Sequence, residues 1–316
     1  MHKDGPLGFH GSEGDIWVAE CADGSLVGYY GRIRYSMHCF GRTVIASQGL
    51  NLATDSRFRN EGIATQLLGS SLRDAKRNGI TLTFGFPNRL SYSLAIKQGG
   101  HDMGEAGELH LVLDLEAYLD SRESGPIHKT LRRAELAILG AGQRRHAREG
   151  SPGSLEPVRG FTKDAGSVWI SIRDRFDIGL ERTLQYLAWR YDRRWGDYQA
   201  VSLTKEDQTC GYIVTGTTTK RGLKITTIYE LLARDDEPLI FEALIDGVIE
   251  RSRSDGSVYL AVSGSSSRGA LSSLRRAGFR KVRWGARYFT FLYEEDLRPR
   301  MADARAYQSL GDRDYL

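Results

Sequence analysis

The same ending occurs twice in this chain, and it limits the possible architectures more than any other feature. Ser91–Gly100, SYSLAIKQGG, is a short apolar-periodic stretch that stops at Gly99; Ala270–Phe279, ALSSLRRAGF, is another, with its glycine at Gly278, 179 residues later. Solenoid repeats recur every ~20–50 residues, so a period this long means two domain-sized copies. The length agrees, because 316 residues suit two domains of roughly 100–200 residues each.

Strand and helix patterns follow one order in both copies. Ile16–Ala53 reads as three antiparallel strands, IWVAEC, SLVGYYGRIRY and RTVIASQGLNLA, separated by Ala22-Asp23-Gly24 and Phe40-Gly41. Gly62–Arg77 places Ile63, Leu67, Leu68, Leu72 and Ala75 at helical spacing and ends at Asn78-Gly79. ITLTFGF is then a short strand, Pro87-Asn88 breaks it, SYSLAIKQ is a short helix, and HDMGEAGELHLVLDL carries the closing strands. In the second copy Lys163–Arg193 is mostly helical. YQAVSLT, CGYIVTGTTT and KITTIYELLA are strands, PLIFEALIDGVIERSRS is a helix, VYLAVSG is a strand, and RYFTFLY closes the sheet. The expected fold class is α/β (α+β), with two tandem domains, each a mixed, mostly antiparallel twisted sheet flanked by helices. The expected boundaries are residues 1–120, a linker with a basic helix at 121–154, residues 155–300 and a polar tail at 301–316.

Composition narrows the function classes. Hydrophobic residues at 40% and charged ones at 27% describe a globular chain. No run approaches the roughly 18–20 apolar residues of a membrane helix, and the start lacks the apolar core of a signal peptide. A cytoplasmic location without membrane contact is expected. Cys21, Cys39 and Cys210 lack CxxC spacing, so neither a disulfide framework nor a metal site is suggested. A net charge of +4 is well short of a dedicated nucleic-acid binder and suits a small polyanion equally.

One segment carries chemistry. The strand ending at Leu52-Ala53 runs through Thr54–Phe58 into Arg59-Asn60-Glu61-Gly62-Ile63-Ala64-Thr65, where the helix begins. Glycine and alanine there let backbone approach a ligand, and the first amides of a helix have no internal partners. With the helix dipole, and with Arg57 and Arg59 adding positive charge at the rim, the natural guest is a pyrophosphate.

RNEGIA resembles the Arg/Gln-x-x-Gly-x-Gly/Ala pyrophosphate loop of the GNAT superfamily of CoA-dependent N-acyltransferases, and FGFPNRLSYSLAIKQGG is similar to that family's second CoA-facing segment. The resemblance covers residues 16–115 well and 155–296 in element order only, and it points to a two-domain bacterial subgroup. It implies acetyl-CoA or another acyl-CoA as cosubstrate and a small-molecule primary amine as acceptor, attacking directly in a ternary complex; a homodimer is compatible with it. Leu52 and Ala53 would hydrogen-bond pantetheine, Arg59 to Thr65 would wrap the pyrophosphate, and Asn88 and the helix from Ser91 would flank the thiol.

Departures from the pattern shape the remaining expectations. Many members carry a tyrosine seven residues after the asparagine to protonate the leaving thiolate; here that position is Ala95. Tyr92 is the substitute acid, with packing as the competing role. Glu20, Glu61 and Gln48 through a water are the candidate bases. Only fifteen residues precede Ile16, so the strand and two helices that open the family fold are expected to be missing. At the 179-residue offset Gly62 corresponds to Phe241, within the acidic, glycine-free ARDDEPLIFEAL, so the second copy is expected to be degenerate and unable to bind the cofactor. Trp189, Tyr191, Trp195 and Tyr198 either line an acceptor pocket or pack the domain interface. Two other readings stay open: a CoA-binding sensor without catalysis, and an aminoacyl-tRNA-dependent transferase of the peptidoglycan-bridge type, against which the intact loop counts.

Overall fold

A computed structural model describes residues 15–313, apart from 106, 121–152, 193–195, 265–266 and 284–286. Residues 121–152 of the expected linker and Trp195 therefore lie outside the described residues, and Ser154, the last linker residue, already belongs to a strand. Alternating apolar residues form the first strands, β1 (Ile16–Glu20), β2 (Leu26–Cys39) and β3 (Arg42–Thr54). Helix α1 (Ile63–Arg77) buries Leu67, Leu68 and Ala75 at the predicted spacing. Then follow β4 (Leu82–Gly85), α2 (Arg89–Lys97), β5 (His101–Glu105), β6 (Glu108–Val112) and α3 (Leu115–Asp120). The second copy comprises β7 (Ser154–Val158), α4 (Lys163–Ile172), β8 (Ile178–Leu180), α5 (Leu184–Arg190), β9 (Tyr198–Lys205), β10 (Gln208–Lys220), β11 (Leu223–Ala233), α6 (Pro238–Ser254), β12 (Tyr259–Ser263), α7 (Arg268–Arg276), β13 (Arg280–Arg283) and β14 (Arg287–Leu292). The fold is mixed α/β, with two mixed, mostly antiparallel sheets flanked by helices.

The two halves of the chain keep a common spacing in the starts of several elements. The offset that relates Gly99 to Gly278 also relates the first residues of α2 and α7, of β5 and β13, and of β6 and β14. Among the described residues each sheet has one parallel strand pair at the matching place, β3 with β4 and β11 with β12.

The closing strands are exchanged. RYFTFLY was expected to close the second sheet, but β14 lies in the first, between β4 and β5. Reciprocally, β6 leaves the first copy and lies between β12 and β13. Each sheet therefore needs both halves of the chain to complete its hydrogen-bond ladder.

Two further segments depart from the sequence reading. Lys163–Arg193 is not continuously helical, because Ile178-Gly179-Leu180 forms β8 along Met37–Cys39, the stretch of β2 left open beyond β1. Gly179 is required there, since a Cβ would sit 2.7 Å from the Trp169 ring. Residues 301–313 are polar in composition, as read, but they do not trail into solvent: Met301, Tyr307, Gln308, Ser309, Asp312 and Arg313 are buried. The reason is charge pairing. Arg182, itself fully buried, donates to the Asp312 carboxylate at 2.6 Å and to Ser309 Oγ at 3.2 Å, and Arg190 donates to the Arg313 carbonyl at 3.0 Å.

One apolar core consequently joins both halves. Tyr35, Met37, Leu82 and Phe84 of the first sheet pack with Trp169, Tyr186, Leu187, Tyr212 and Tyr307. Tyr191, Trp189 and Tyr198 belong to this core or pack against it. A second core lies under α6 and α7, and a third, of Tyr30, Leu67, Leu68, Ala95, Phe289 and Phe291, lies under α1 and α2.

Candidate functional site

The β3–β4 pair is short. Its register runs from Ala46 opposite Leu82 to Gln48 opposite Phe84 and then stops. From Gly49 onward β3 has no β4 neighbour, which leaves one backbone edge available. A bulge accentuates the divergence: Tyr29 pairs with Ala53 and Gly31 with Leu50, so two residues, Asn51 and Leu52, face only Tyr30, and Asn51 takes a positive φ of 51°.

A cleft of about 510 Å³ fills this gap, a volume in the ordinary range for small-molecule sites. Gln48 to Ala53 form one wall, and Thr83 to Asn88 with Ser91 form the other. Tyr30, Leu68, Ala95, Phe289 and Phe291 come from the core under α1 and α2, whereas Phe84 and Phe86 belong to the core shared with the second copy. The cleft thus reaches through the sheet from one face to the other.

The segment Arg59 to Thr65 forms the start of α1, and Leu68 on the same helix lines the cleft. Gly62 is the N-cap in the left-handed region, φ 82°, with no side-chain cap and no acid in the first turn. A Cβ at Gly62 would meet nothing within 4 Å, so conformation rather than space selects glycine. Asn60 is also left-handed, φ 70°. Arg59, Asn60, Glu61 and Thr65 are exposed, Ala64 is half-buried, and Ile63 packs toward Gly28. The first amides of α1 therefore have neither a side-chain cap nor a first-turn acid to satisfy them.

The two arginines differ. Arg59 makes no hydrogen bond or ion pair among the described residues. Arg57, expected to add charge at the rim, instead grips Asp55 through Nε at 3.2 Å and Nη2 at 3.0 Å. These bonds pull the Asp55 carboxyl down to about 2, so the pair is neutralised.

Other candidates divide between the cleft and elsewhere. Leu52, Ala53, Asn88, Ser91 and Gln48 line it. Asn88 caps α2, its Oδ1 accepting from the amides of Leu90 and Ser91 at 2.9 and 3.0 Å. Ala95 also lines it, so the absent tyrosine would have reached the cleft. Tyr92 does not. Its hydroxyl donates to Asp102 at 3.1 Å, its ring edge meets Phe289, and Arg287 lies over its face, because α2 turns that side toward β5 and β14. Glu20 is exposed at the end of the edge strand β1, with β2 between it and β3, and Glu61 stands outside the lining. The structure brings neither carboxylate to the cleft.

Several lining residues escaped sequence reasoning. Tyr30 crosses β3 so closely that a Cβ at Gly49 would sit 2.0 Å from its hydroxyl; burial raises the pKa of this phenol, and it stays neutral. Thr83 shares hydroxyl hydrogen bonds with Ser47 at 2.7 Å and Tyr293 at 2.9 Å, and burial pushes the Tyr293 hydroxyl up to about 12. Arg313 comes from the C-terminal segment and is the one charged residue among the described lining residues. Alternating apolar residues in Leu82–Phe86 hinted at one wall, but no local pattern marked Arg313.

Residues 10–97 match the family model described as Acetyltransferase (GNAT) domain. This part of the chain is a GNAT domain. Among solved structures, the chain is similar to a GCN5-related N-acetyltransferase from Anabaena variabilis, with a TM-score of 0.65, 12% identity, and coverage of 89% of this chain and 63% of that one. Similarity to a GCN5-related N-acetyltransferase from Kribbella flavida has a TM-score of 0.59 at 13% identity, covering 88% and 59%. Saccharomyces cerevisiae N-myristoyltransferase, solved with bound myristoyl-CoA, aligns with a TM-score of 0.57 at 11% identity, covering 85% and 67%. At these identities the likeness is one of fold, and the chain spans about three fifths of the length of the two GCN5-related structures. No curated protein matches the chain by sequence. No helix among the described residues is long and apolar enough to cross a membrane.

The GNAT domain's start of α1 contrasts with its counterpart. Helix α6 opens at Glu237, whose own carboxylate accepts from the Leu239 amide at 3.5 Å, just after Asp235 and Asp236. Asp236 further accepts from Ser267 Oγ and from the Gly269 amide. Glu237 caps that helix start, Asp236 is taken up by the start of α7, and the three acids Asp235 to Glu237 would repel a pyrophosphate.

Proposed function

We propose that the chain is an acyl-CoA-dependent N-acyltransferase whose first copy holds the cosubstrate and whose second copy has kept the scaffold without a cofactor site. One observation carries this reading: within the GNAT-domain match, the uncapped start of α1 at Gly62 belongs to the same helix that lines the cleft at Leu68. The residues fit the group. The open amides of α1 and Arg59 suit a pyrophosphate, the unpaired β3 edge at Leu52 and Ala53 suits the pantetheine amides, and the cleft walls at Phe86, Asn88 and Ser91 suit the thioester end.

Acyl-CoA supplies an activated carbonyl; the chain supplies position. The incoming amine nitrogen bonds to that carbonyl carbon while the carbon–sulfur bond breaks, and the amine proton passes to solvent or to the departing thiolate. No Asp, Glu or His side chain lines the cleft among the described residues. The acceleration then comes from alignment between the two walls and from neutral donors near the thioester. Acetyl is the natural first acyl group and a small primary amine the natural acceptor. Ala95 at the tyrosine position, with Tyr92 tied to Asp102, favours CoA binding without turnover as the second reading.

Calorimetry with acetyl-CoA tests the proposal. The wild type is expected to bind in the micromolar range and Gly62→Glu, which adds an anion at the helix start, to lose at least about tenfold in affinity. Free-thiol release in the presence of primary amines then separates transferase from sensor. Failure of the wild type to bind acetyl-CoA, or equal binding by the variant, would overturn the assignment of the loop.

A further inference from the structure

We propose that Arg313 is a carboxylate-recognition residue, and that the acceptor is an amine bearing a carboxylate, of the amino-acid class; the assignment of the partner to the acceptor rests on the acyltransferase reading. Arg313 is only 4% exposed, yet its Nε and Nη2 have no hydrogen-bond partner, and it makes no ion pair among the described residues. Burying a guanidinium without an anion is costly, so such a group marks a place where a ligand completes the pairing. Its planar fork suits a carboxylate, which it can bind through two parallel hydrogen bonds.

The surroundings direct this cation into the cleft and fix it there. The guanidinium lies over the Phe86 ring at 5.3 Å. Gln48 Nε2 donates to the Asp312 carbonyl at 3.2 Å, Arg190 donates to the carbonyls of Gly311 and Arg313, and Arg182 grips the Asp312 side chain. Among the described residues, Asp312 and Glu230 are thus committed to Arg182.

Position in the sheet separates acceptor from cosubstrate. Helix α1, with the loop assigned to the pyrophosphate, packs on the face of Tyr30, Phe289 and Phe291. Arg313 approaches from the opposite face, where Phe84, Phe86 and Tyr288 meet the second copy. An amine delivered from that face would reach the thioester through the β3–β4 gap with its carboxylate held behind it by Arg313.

The test uses product-like probes on the full chain. A set of N-acetylated amino acids and their carboxamides is titrated calorimetrically, with and without CoA, against the wild type, Arg313→Gln and Arg313→Lys. At least one acid is expected to bind roughly 10- to 100-fold more tightly than its amide, the range for hydrogen bonds to a charged group. Arg313→Gln should erase that preference and Arg313→Lys should retain part of it, while both keep CoA affinity. Equal binding of every acid and amide by the wild type, which needs no variant to interpret, would overturn the proposal, as would a preference that survives Arg313→Gln. Acetyl-CoA and succinyl-CoA form the second arm: a gain for succinyl-CoA that Arg313→Gln removes would put the anion on the acyl chain and overturn the acceptor assignment. Acid-over-amide preference without any CoA binding would support the carboxylate site and sink the acyltransferase reading; CoA binding without the preference would do the reverse.

Discussion

Replacing Arg182 by methionine isolates the interaction that ties the C-terminal segment to both halves. Arg182 is completely buried and donates to the Leu180 carbonyl at 2.6 Å, Asp312 at 2.6 Å, Ser309 Oγ at 3.2 Å and Glu230 at 3.4 Å. Burial alone would lower the guanidinium pKa, but Asp312 and Glu230 hold it well above the ordinary arginine value. Methionine fills most of the volume and leaves two carboxylates facing each other without their cation. Breaking a buried pair in this way costs about 3–5 kcal/mol. At roughly 2 °C per kcal/mol, the low end appropriate to a long chain, the thermal midpoint should fall by about 6–10 °C. The triple variant Arg182→Met, Glu230→Gln, Asp312→Asn removes the stranded charges and should recover most of the loss, because whole buried ion sets can be replaced at little net cost. Calorimetric or circular-dichroism melts measure the midpoints, and limited proteolysis follows residues 295–313, whose cleavage should accelerate in the single variant. A loss below about 1 kcal/mol for the single variant, or a triple variant no more stable than the single, would refute the reasoning that charge burial anchors this segment.

Two smaller perturbations test the site and the exchanged strand. Gly49→Ala puts a methyl 2.0 Å from the Tyr30 hydroxyl; it should cost about 1–3 kcal/mol through overpacking and weaken acetyl-CoA binding, with Tyr30→Phe in the same chain restoring part of both in a double-mutant cycle. Strictly additive effects would show that the two residues do not contact. Asp102, on β5, accepts from Arg287 of β14; burial would raise its carboxyl, but hydrogen bonds from Arg287, the Gly104 amide and Tyr92 hold it below the ordinary 3.8. A depressed carboxylate stabilises fully above its unfolded value and loses that contribution as pH falls through the folded one. Thermal midpoints measured from pH 6 to pH 3 should therefore fall more steeply in the wild type than in Asp102→Asn below about pH 4, and parallel curves would count against the pairing.

Local pattern by itself determined a large part of this protein. Period-two and period-3.6 apolar spacing identified most strands and helices, and the offset between the glycines at 99 and 278 is shared by the starts of α2 and α7, of β5 and β13, and of β6 and β14. Gly62 after a strand and before an amphipathic helix pointed to a helix start without a side-chain cap, because its left-handed φ and lack of a capping side chain are consequences of a few adjacent residues. Partnership was decided only in three dimensions. Alternation says that Arg287–Leu292 is a strand but not which strand lies beside it, so the exchange of β6 and β14 has no local signature. Ile178-Gly179-Leu180 became a strand only because β2 left an edge open there. Tyr92 and Glu20 carried suitable chemistry for catalysis, yet helix rotation and edge position took both away from the cleft. Arg313 shows the limit most clearly. Its sequence neighbours Asp312 and Asp314 are charged and read as a solvated end, whereas Arg182 and Arg190, more than 120 residues earlier, pair with Gly311 to Arg313 and hold those residues inside. Burial of a charge depends on counter-charges brought from elsewhere in the fold, and a linear sequence does not state where they will be.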